Sequence, residues 1–165
     1  MSHRFLSFAL FLGASVFCAP ILNAQVLPAP NFVIEHQDVP SSLHDLKGQV
    51  VYLDFWASWC KPCRKSFPWM NAMQAKYGSE GLQILAINLD AEPQLARQFL
   101  DKVPAHMSII YDPSGDIAGS YQLLGMPSSY LIDKKGVIRI AHKGFFINKK
   151  NQYEQEIISM LNESE

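Results

Sequence analysis

Between Val50 and Trp56, "VVYLDFW", six of seven positions are apolar or aromatic and do not alternate with polar ones. That pattern predicts a central strand covered on both faces. A single carboxylate, Asp54, interrupts it. From Pro62 onward Phe67, Met70, Met73 and Tyr77 recur at spacings of three and four, which predicts a helix over Pro62–Tyr77, kinked at Pro68 and closed by Gly78. "LQILAINLD" (Leu82–Asp90) reads as a second buried strand. A helix follows over Glu92–Asp101, with Leu95, Phe99 and Leu100 turned inward, and then a short strand over Met107–Asp112. Gly115–Leu124 reads as a short helix. "SYLIDKKGVIRIAHKG" reads as a hairpin about Lys134-Lys135-Gly136, and Asn151–Leu161 as a final helix with Tyr153, Ile157, Ile158 and Leu161 on one face. Strands alternating with helices and ending in a hairpin predict an α/β fold, a mixed central sheet flanked by helices.

The beginning of the chain has a different pattern. Arg4 precedes the uncharged run "FLSFALFLGASVF" (Phe5–Phe17), and Ala24 stands where a small residue precedes a cleavage site. Residues 1–24 therefore read as a secretory signal peptide. An uncleaved anchor is the alternative, because Phe5–Leu22 is near the shortest span of a bilayer, although Pro20 interrupts its end. Phe17 is too bulky to precede a lipidated cysteine, so Cys18 is expected to leave with the signal. Residues 25–31, "QVLPAPN", read as a linker and residues 32–165 as the domain, opening with an extended lead-in over Phe32–Gln49 that turns at Val39–Ser42 and at Lys47-Gly48. The domain is expected in a bacterial-type periplasm, or tethered to the inner membrane facing it.

Composition narrows the chemistry. A chain of 165 residues supports one core-bearing domain. Its net charge of −1 argues against nucleic acid or an anionic membrane recognised by bulk charge. Only Cys60 and Cys63 remain after the signal, in a compartment where disulfides persist. So few cysteines do not staple a fold. They point to chemistry, a metal or one local bridge.

Pro62 suits the first turn of a helix, where its missing N–H is not needed. Cys60 would then face the unpaired N–H groups and positive dipole end of that helix, with Lys61 adding a cation. These features favour Cys60 as an exposed, attacking thiolate, with Cys63 one turn further in as the shielded resolving partner. An inert structural disulfide would not need Trp59, Lys61 or Pro62 around it. Zinc would lack two of its four ligands. A copper chaperone of the Sco kind would need C-x-x-x-C and a placed histidine, with His106 or His142 as candidates. A peroxiredoxin would carry its cysteine in a Pro/Thr-containing loop. His36, His44, His106 and His142 read as surface or turn residues, and Met70, Met73 and Met107 as core. Trp56 reads as a core packer and Trp59 as a partly exposed shield for the thiols.

"FWASWCKPC", the flanking "SSLHDLKGQVVYLDFWASWCKPCRKSFP", "ILAINLD" and "GMPSSYLIDKKGVI" closely resemble the TlpA/ResA-type thiol–disulfide oxidoreductases of the thioredoxin-fold superfamily. The helix-strand insert Glu92–Asp112 is also similar to theirs, and the likeness runs from about Phe32 to Leu161. It implies a thioredoxin-like fold with an N-terminal extension and a central insert. It places Pro127 at a cis-proline beside the thiols, with Met126 presenting backbone to an extended substrate. It implies that Asp54 takes a proton from Cys63 as that thiol resolves the mixed disulfide. Thioredoxin pairs this acid with a lysine on the next strand, where Ala86 stands here. The resemblance further implies a monomer without cofactor or metal, a disulfide-containing protein as substrate (apocytochrome c by analogy) and a membrane thiol transporter as electron donor. A buried acid relay favours a reductase. An oxidase of secreted thiols on the same fold is the alternative.

Overall fold

A computed structural model describes residues 27–35 and 40–164. The signal or anchor segment 1–24, positions 25 and 26 of the linker, His36 and Val39 of the first turn lie outside the described residues.

Five strands form one mixed sheet in the order β3-β2-β1-β4-β5. They are β1 Val50–Trp56, β2 Leu82–Asn88, β3 Ser108–Tyr111, β4 Ser128–Ile132 and β5 Ile138–Lys143. β1 pairs with β2, and β2 with β3, in parallel; β4 runs antiparallel to both β1 and β5. Helices α1 (Cys63–Tyr77) and α2 (Pro93–Leu100) carry the two parallel crossovers, α3 (Asp116–Ser120) precedes β4, and α4 (Lys150–Leu161) closes the chain. Every residue of β1 is buried, as its unbroken apolar pattern predicts.

The two faces of β1 feed two cores. Val50, Tyr52 and Trp56 pack with Phe67, Met70 and Met73 of α1, Phe99 of α2, and Tyr153 and Ile157 of α4. Val51, Leu53 and Phe55 pack instead with Tyr121 and with Phe32, Leu43 and Leu46 of the lead-in. The second face is thus covered less by helix than by the N-terminal extension, including its 3-10 turn Leu43–Leu46. Leu27–Asn31, expected as a linker, is fastened to the hairpin. Pro28 bridges Val137, Ala29 N–H donates to the Gly136 carbonyl, and Ala29 is buried.

Several boundaries differ from the sequence pattern for local reasons. Gly78 does not close α1: it stays right-handed (φ −56°) and opens the 3-10 turn Gly78–Glu80. The reversal into β2 occurs at Gly81, whose φ of 99° favours glycine. Within α2, Ala96 and Phe99 face inward while Leu95 is 40% exposed, because Phe99 seats between Trp56 (4.9 Å between ring centroids) and Phe67 (5.0 Å) and sets the helix's rotation. α3 ends at Ser120, short of the expected Leu124, and Gln122 then takes φ 50°. On α4, Met160 joins Tyr153 and Ile157 in the core while Ile158 and Leu161 stay at its edge. The hairpin turn forms as expected, with Asp133 Oδ1 accepting from the N–H groups of Lys135 and Val137.

Phe67 links α1 to both Trp56 and Phe99, so Phe67→Ala is expected to destabilise the oxidised domain by about 3–5 kcal/mol. Urea unfolding measures this, and a loss below about 1 kcal/mol would show that the three-ring contact is not a main element of the core.

Candidate active site

The loop after β1 places the thiols at the start of α1. Cys60 N–H donates to the Ala57 carbonyl, and Cys63 N–H to that of Cys60, so the chain is already turning helically across Lys61 and Pro62. Pro62 is the N-cap in right-handed conformation, one position earlier than expected. Cys60 and Cys63 are joined as a disulfide, their Cα atoms 5.3 Å apart. Cys60 was expected as an exposed nucleophile, but it is only 4% exposed, and Cys63 is wholly covered. The exposed member of the segment is Trp59, at 65%. Trp56, as expected, is core.

A carboxylate anchors this loop from the end of β2. Asp90, itself buried, accepts from Ser58 N–H at 2.9 Å, from Ser58 Oγ at 2.8 Å and from Asn88 Nδ2 at 2.8 Å. The clamp holds the residues just before Cys60, and sequence reasoning missed it. Asn88 and Asp90 are visible as polar residues ending a buried strand. Their partner Ser58 is 32 residues away and carries no sequence signal.

Asp54 lies in the middle of β1, paired with Ala86 on β2 and Ser129 on β4. Strand alternation turns its side chain to the face of Tyr52 and Trp56, whose core includes Cys60 and Cys63. Its Oδ2 is buried and meets no hydrogen-bond donor among the described residues. Burial therefore holds the Asp54 carboxyl well above the usual carboxylate range. Tyr52 is also held high, by burial first and the Asp54 charge second. The register confirms that Ala86 is the β2 neighbour, so no cation faces the acid from that strand.

The peptide bond Met126–Pro127 is cis, and Pro127 is buried where β4 begins. The Pro127 carbonyl accepts from Gly144 N–H, and Met126 is partly buried between the two cores. Two depressions flank this centre. One, of about 310 Å³, lies between Trp59 and Arg64 on one wall and Leu95, Phe99 and Lys102 of the insert on the other. The second, of about 260 Å³, is lined by Leu124, Met126, Pro127 and Lys143. His142 was read as a surface residue. It is instead half-buried against α4, because β5 packs its ring on Tyr153. Among the described residues no three His, Cys, Asp or Glu side chains gather as a metal site would require.

A C-x-x-C disulfide at a helix start, with a cis-proline at the head of a strand in a mixed sheet, defines a thioredoxin-like redox protein. The comparisons narrow the class: the chain belongs to the AhpC/TSA family, whose profile matches residues 27–141. It is 36% identical over 117 residues to the thiol-disulfide oxidoreductase ResA of Bacillus thuringiensis subsp. konkukian, covering 70% of this chain and 68% of that one. It is 34% identical over 133 residues to the thioredoxin-like protein YneN of Bacillus subtilis, covering 78% and 77%. Among solved structures it is similar to a protein assigned as the thiol:disulfide interchange protein DsbE of Chlorobium tepidum, with 47% identity, a TM-score of 0.79, and 83% and 97% of the two chains covered. The protein is a thiol–disulfide oxidoreductase of thioredoxin-like fold.

The raised Asp54 makes the folded chain hold a proton more tightly than the unfolded chain does. Stability is therefore greatest below the unfolded carboxyl value of about 4 and falls as pH rises toward the elevated folded one. Asp54→Asn is expected to be more stable than the parent at about pH 8 and nearly equal to it at about pH 3.5. Urea unfolding of the oxidised proteins at both pH values tests this, and equal stabilities at about pH 8 would mean the carboxylate is not desolvated.

Proposed function

We propose that the protein is an extracytoplasmic reductase of protein disulfides. The observation that carries this is a buried, uncompensated Asp54 on the strand face that holds the Cys60–Cys63 pair. In the reduced form Cys60 thiolate attacks one sulfur of a partner disulfide. That bond breaks, the partner's leaving sulfur takes up a proton, and Cys60 is left in a mixed disulfide. Cys63 then gives its proton to Asp54 and attacks the Cys60 sulfur. The partner departs with its second thiol, carrying two electrons, and Cys60–Cys63 is left oxidised. Lys61 and the start of α1 favour the Cys60 thiolate by charge, and Pro62 holds the turn between the sulfurs. Cys63, wholly covered, can attack only from within, on the Cys60 sulfur.

Support for the reductive direction is the acid itself. A strong oxidant relies on a very stable thiolate and has no use for a base that deprotonates the second thiol. Support for export is the charge-free Phe5–Phe17 run behind Arg4. Re-reduction of the Cys60–Cys63 disulfide in each cycle calls for a dithiol donor, and a membrane thiol transporter fits that need. The substrate is a polypeptide lying across Met126 and Pro127. Its flanking side chains enter the two depressions, where Trp59, Leu95 and Leu124 offer exposed apolar surface and Arg64, Lys102 and Lys143 offer cations. An apocytochrome c cysteine pair is one substrate of this kind.

Equilibration in thiol redox buffers is expected to give a potential near that of thioredoxin, about −270 mV; a value near about −120 mV would make the protein an oxidant of secreted thiols. Cys63→Ser is expected to trap a disulfide-bearing partner through Cys60, seen as a band that reductant abolishes and that the Cys60→Ser, Cys63→Ser double variant lacks. Absence of any trapped adduct would sink the exchange mechanism.

A further inference from the structure

One register row crosses the whole sheet on the α1–α4 face: Ile109, Ala86, Asp54, Ser129 and His142, from β3 to β5. Asp54 marks a change of character. Its neighbours toward β3 are apolar, and those toward β5 are polar and continue into α4. Tyr52 Oη donates to Ser129 Oγ at 2.9 Å, Ser129 Oγ stands 3.5 Å from His142 Nδ1, and His142 Nε2 approaches Glu156 Oε2 to 2.9 Å. That last approach is out of hydrogen-bond alignment. Glu156 Oε1 accepts from Gln152, and the His142 ring stands edge-on to Tyr153 at 4.7 Å. The side chains of His142 and Glu156 are only 13% and 18% exposed.

This arrangement has a direction. Ser129 accepts from Tyr52 and so turns its own hydrogen toward His142 Nδ1, which assigns the ring hydrogen to Nε2, facing Glu156. The titratable and charged groups around the row are Tyr52 and Asp54 from β1, Cys63 from α1, Tyr153 and Glu156 from α4, and Lys149 just before it. Burial lowers the proton affinity of His142, against the pull of Glu156, so near neutral pH the imidazole does not cancel the Glu156 charge.

We propose that His142 and Glu156 are positioning residues for the exchange reaction: their joint charge, held in place through Ser129 and Tyr52, sets the pH at which Asp54 can take the proton of Cys63. The proposal rests on Asp54 being the base for Cys63. Asp54 and His142 are two strand spacings apart, ~10 Å. The charge sits on Glu156, beyond the His142 ring and so somewhat further off, and in a partly buried setting it moves a carboxyl by roughly 0.5–1 pH unit. An uncancelled Glu156 makes Asp54 the stronger base. Protonation of His142 in acid weakens it.

The test is stopped-flow release of a fluorescent peptide from its mixed disulfide with Cys60 of the full chain, followed from about pH 5 to about pH 9, which spans the ordinary histidine titration. Glu156→Gln, nearly the same shape, is expected to lower the main midpoint by roughly 0.5–1 pH unit. His142→Gln is expected to leave that midpoint in place and to remove the weaker inflection on its acid side. Folding is checked by circular dichroism and by closure of the Cys60–Cys63 disulfide. Unmoved profiles in both variants overturn the proposal. So does a shift of the same sign in both with a lowered melting temperature, which is what a packing role alone produces. Asp54→Asn separates the two readings: if it leaves release unslowed, Asp54 is not the base and both fall. If it slows release about a hundredfold while Glu156→Gln stays at the parent midpoint, only the charge coupling fails.

Discussion

A carboxylate in the centre of a strand buried on both faces is the constraint around which the molecule is arranged. β1 has sheet neighbours on both edges and a packed core on each face, so water cannot reach Asp54 to solvate its charge. A group placed there is costly to ionise. The same lack of solvation makes it an avid proton acceptor when it does ionise. The stability that the acid removes is offset by the apolar packing on either side of it, above all the Trp56, Phe67 and Phe99 cluster beneath the loop.

The thiols are held on that face of β1 from two directions. α1 fixes Cys63 by its first turn, and the bonds from Ser58 and Asn88 to Asp90 fix the loop ahead of Cys60. The loop residues therefore owe their position to the end of β2 as much as to β1, so the insert that follows β2 is mechanically close to the chemistry. Phe99 of that insert is in the same aromatic cluster, and Leu95 and Lys102 reach the depression beside Trp59. The feature that extends the fold beyond a minimal thioredoxin thus contributes both to the core under the site and to the surface around it.

Much of this was legible along the chain. The seven residues of β1 show their double burial because nothing in them alternates, and α1 shows its length because Phe67, Met70, Met73 and Tyr77 keep helical spacing. The C-x-x-C pair, its tryptophan and its helix start are adjacent in sequence, so local chemistry names them. The misreadings share one cause. Leu95 looked inward because it is apolar, and His142 looked outward because it is polar, yet each orientation depends on a partner far along the chain: Trp56 for α2, and Tyr153 with Glu156 for β5. Pro28 and Ala29 read as linker because a proline-rich stretch gives no sign of the hairpin edge it pairs with.

The sequence by itself determined the strand and helix order, the reactive pair, and the presence of an acid six residues before it, because these follow from local periodicity and from residue types close together in the chain. Tertiary structure alone decided that a polar row runs from Asp54 through β4 and β5, that Asp90 clamps Ser58, and that Cys60 is mostly covered. Each of those depends on strand register and long-range packing. A carboxylate's strength as a base is a property of every group around it, and those groups come from β1, β4, β5, α1 and α4 only once the sheet has assembled.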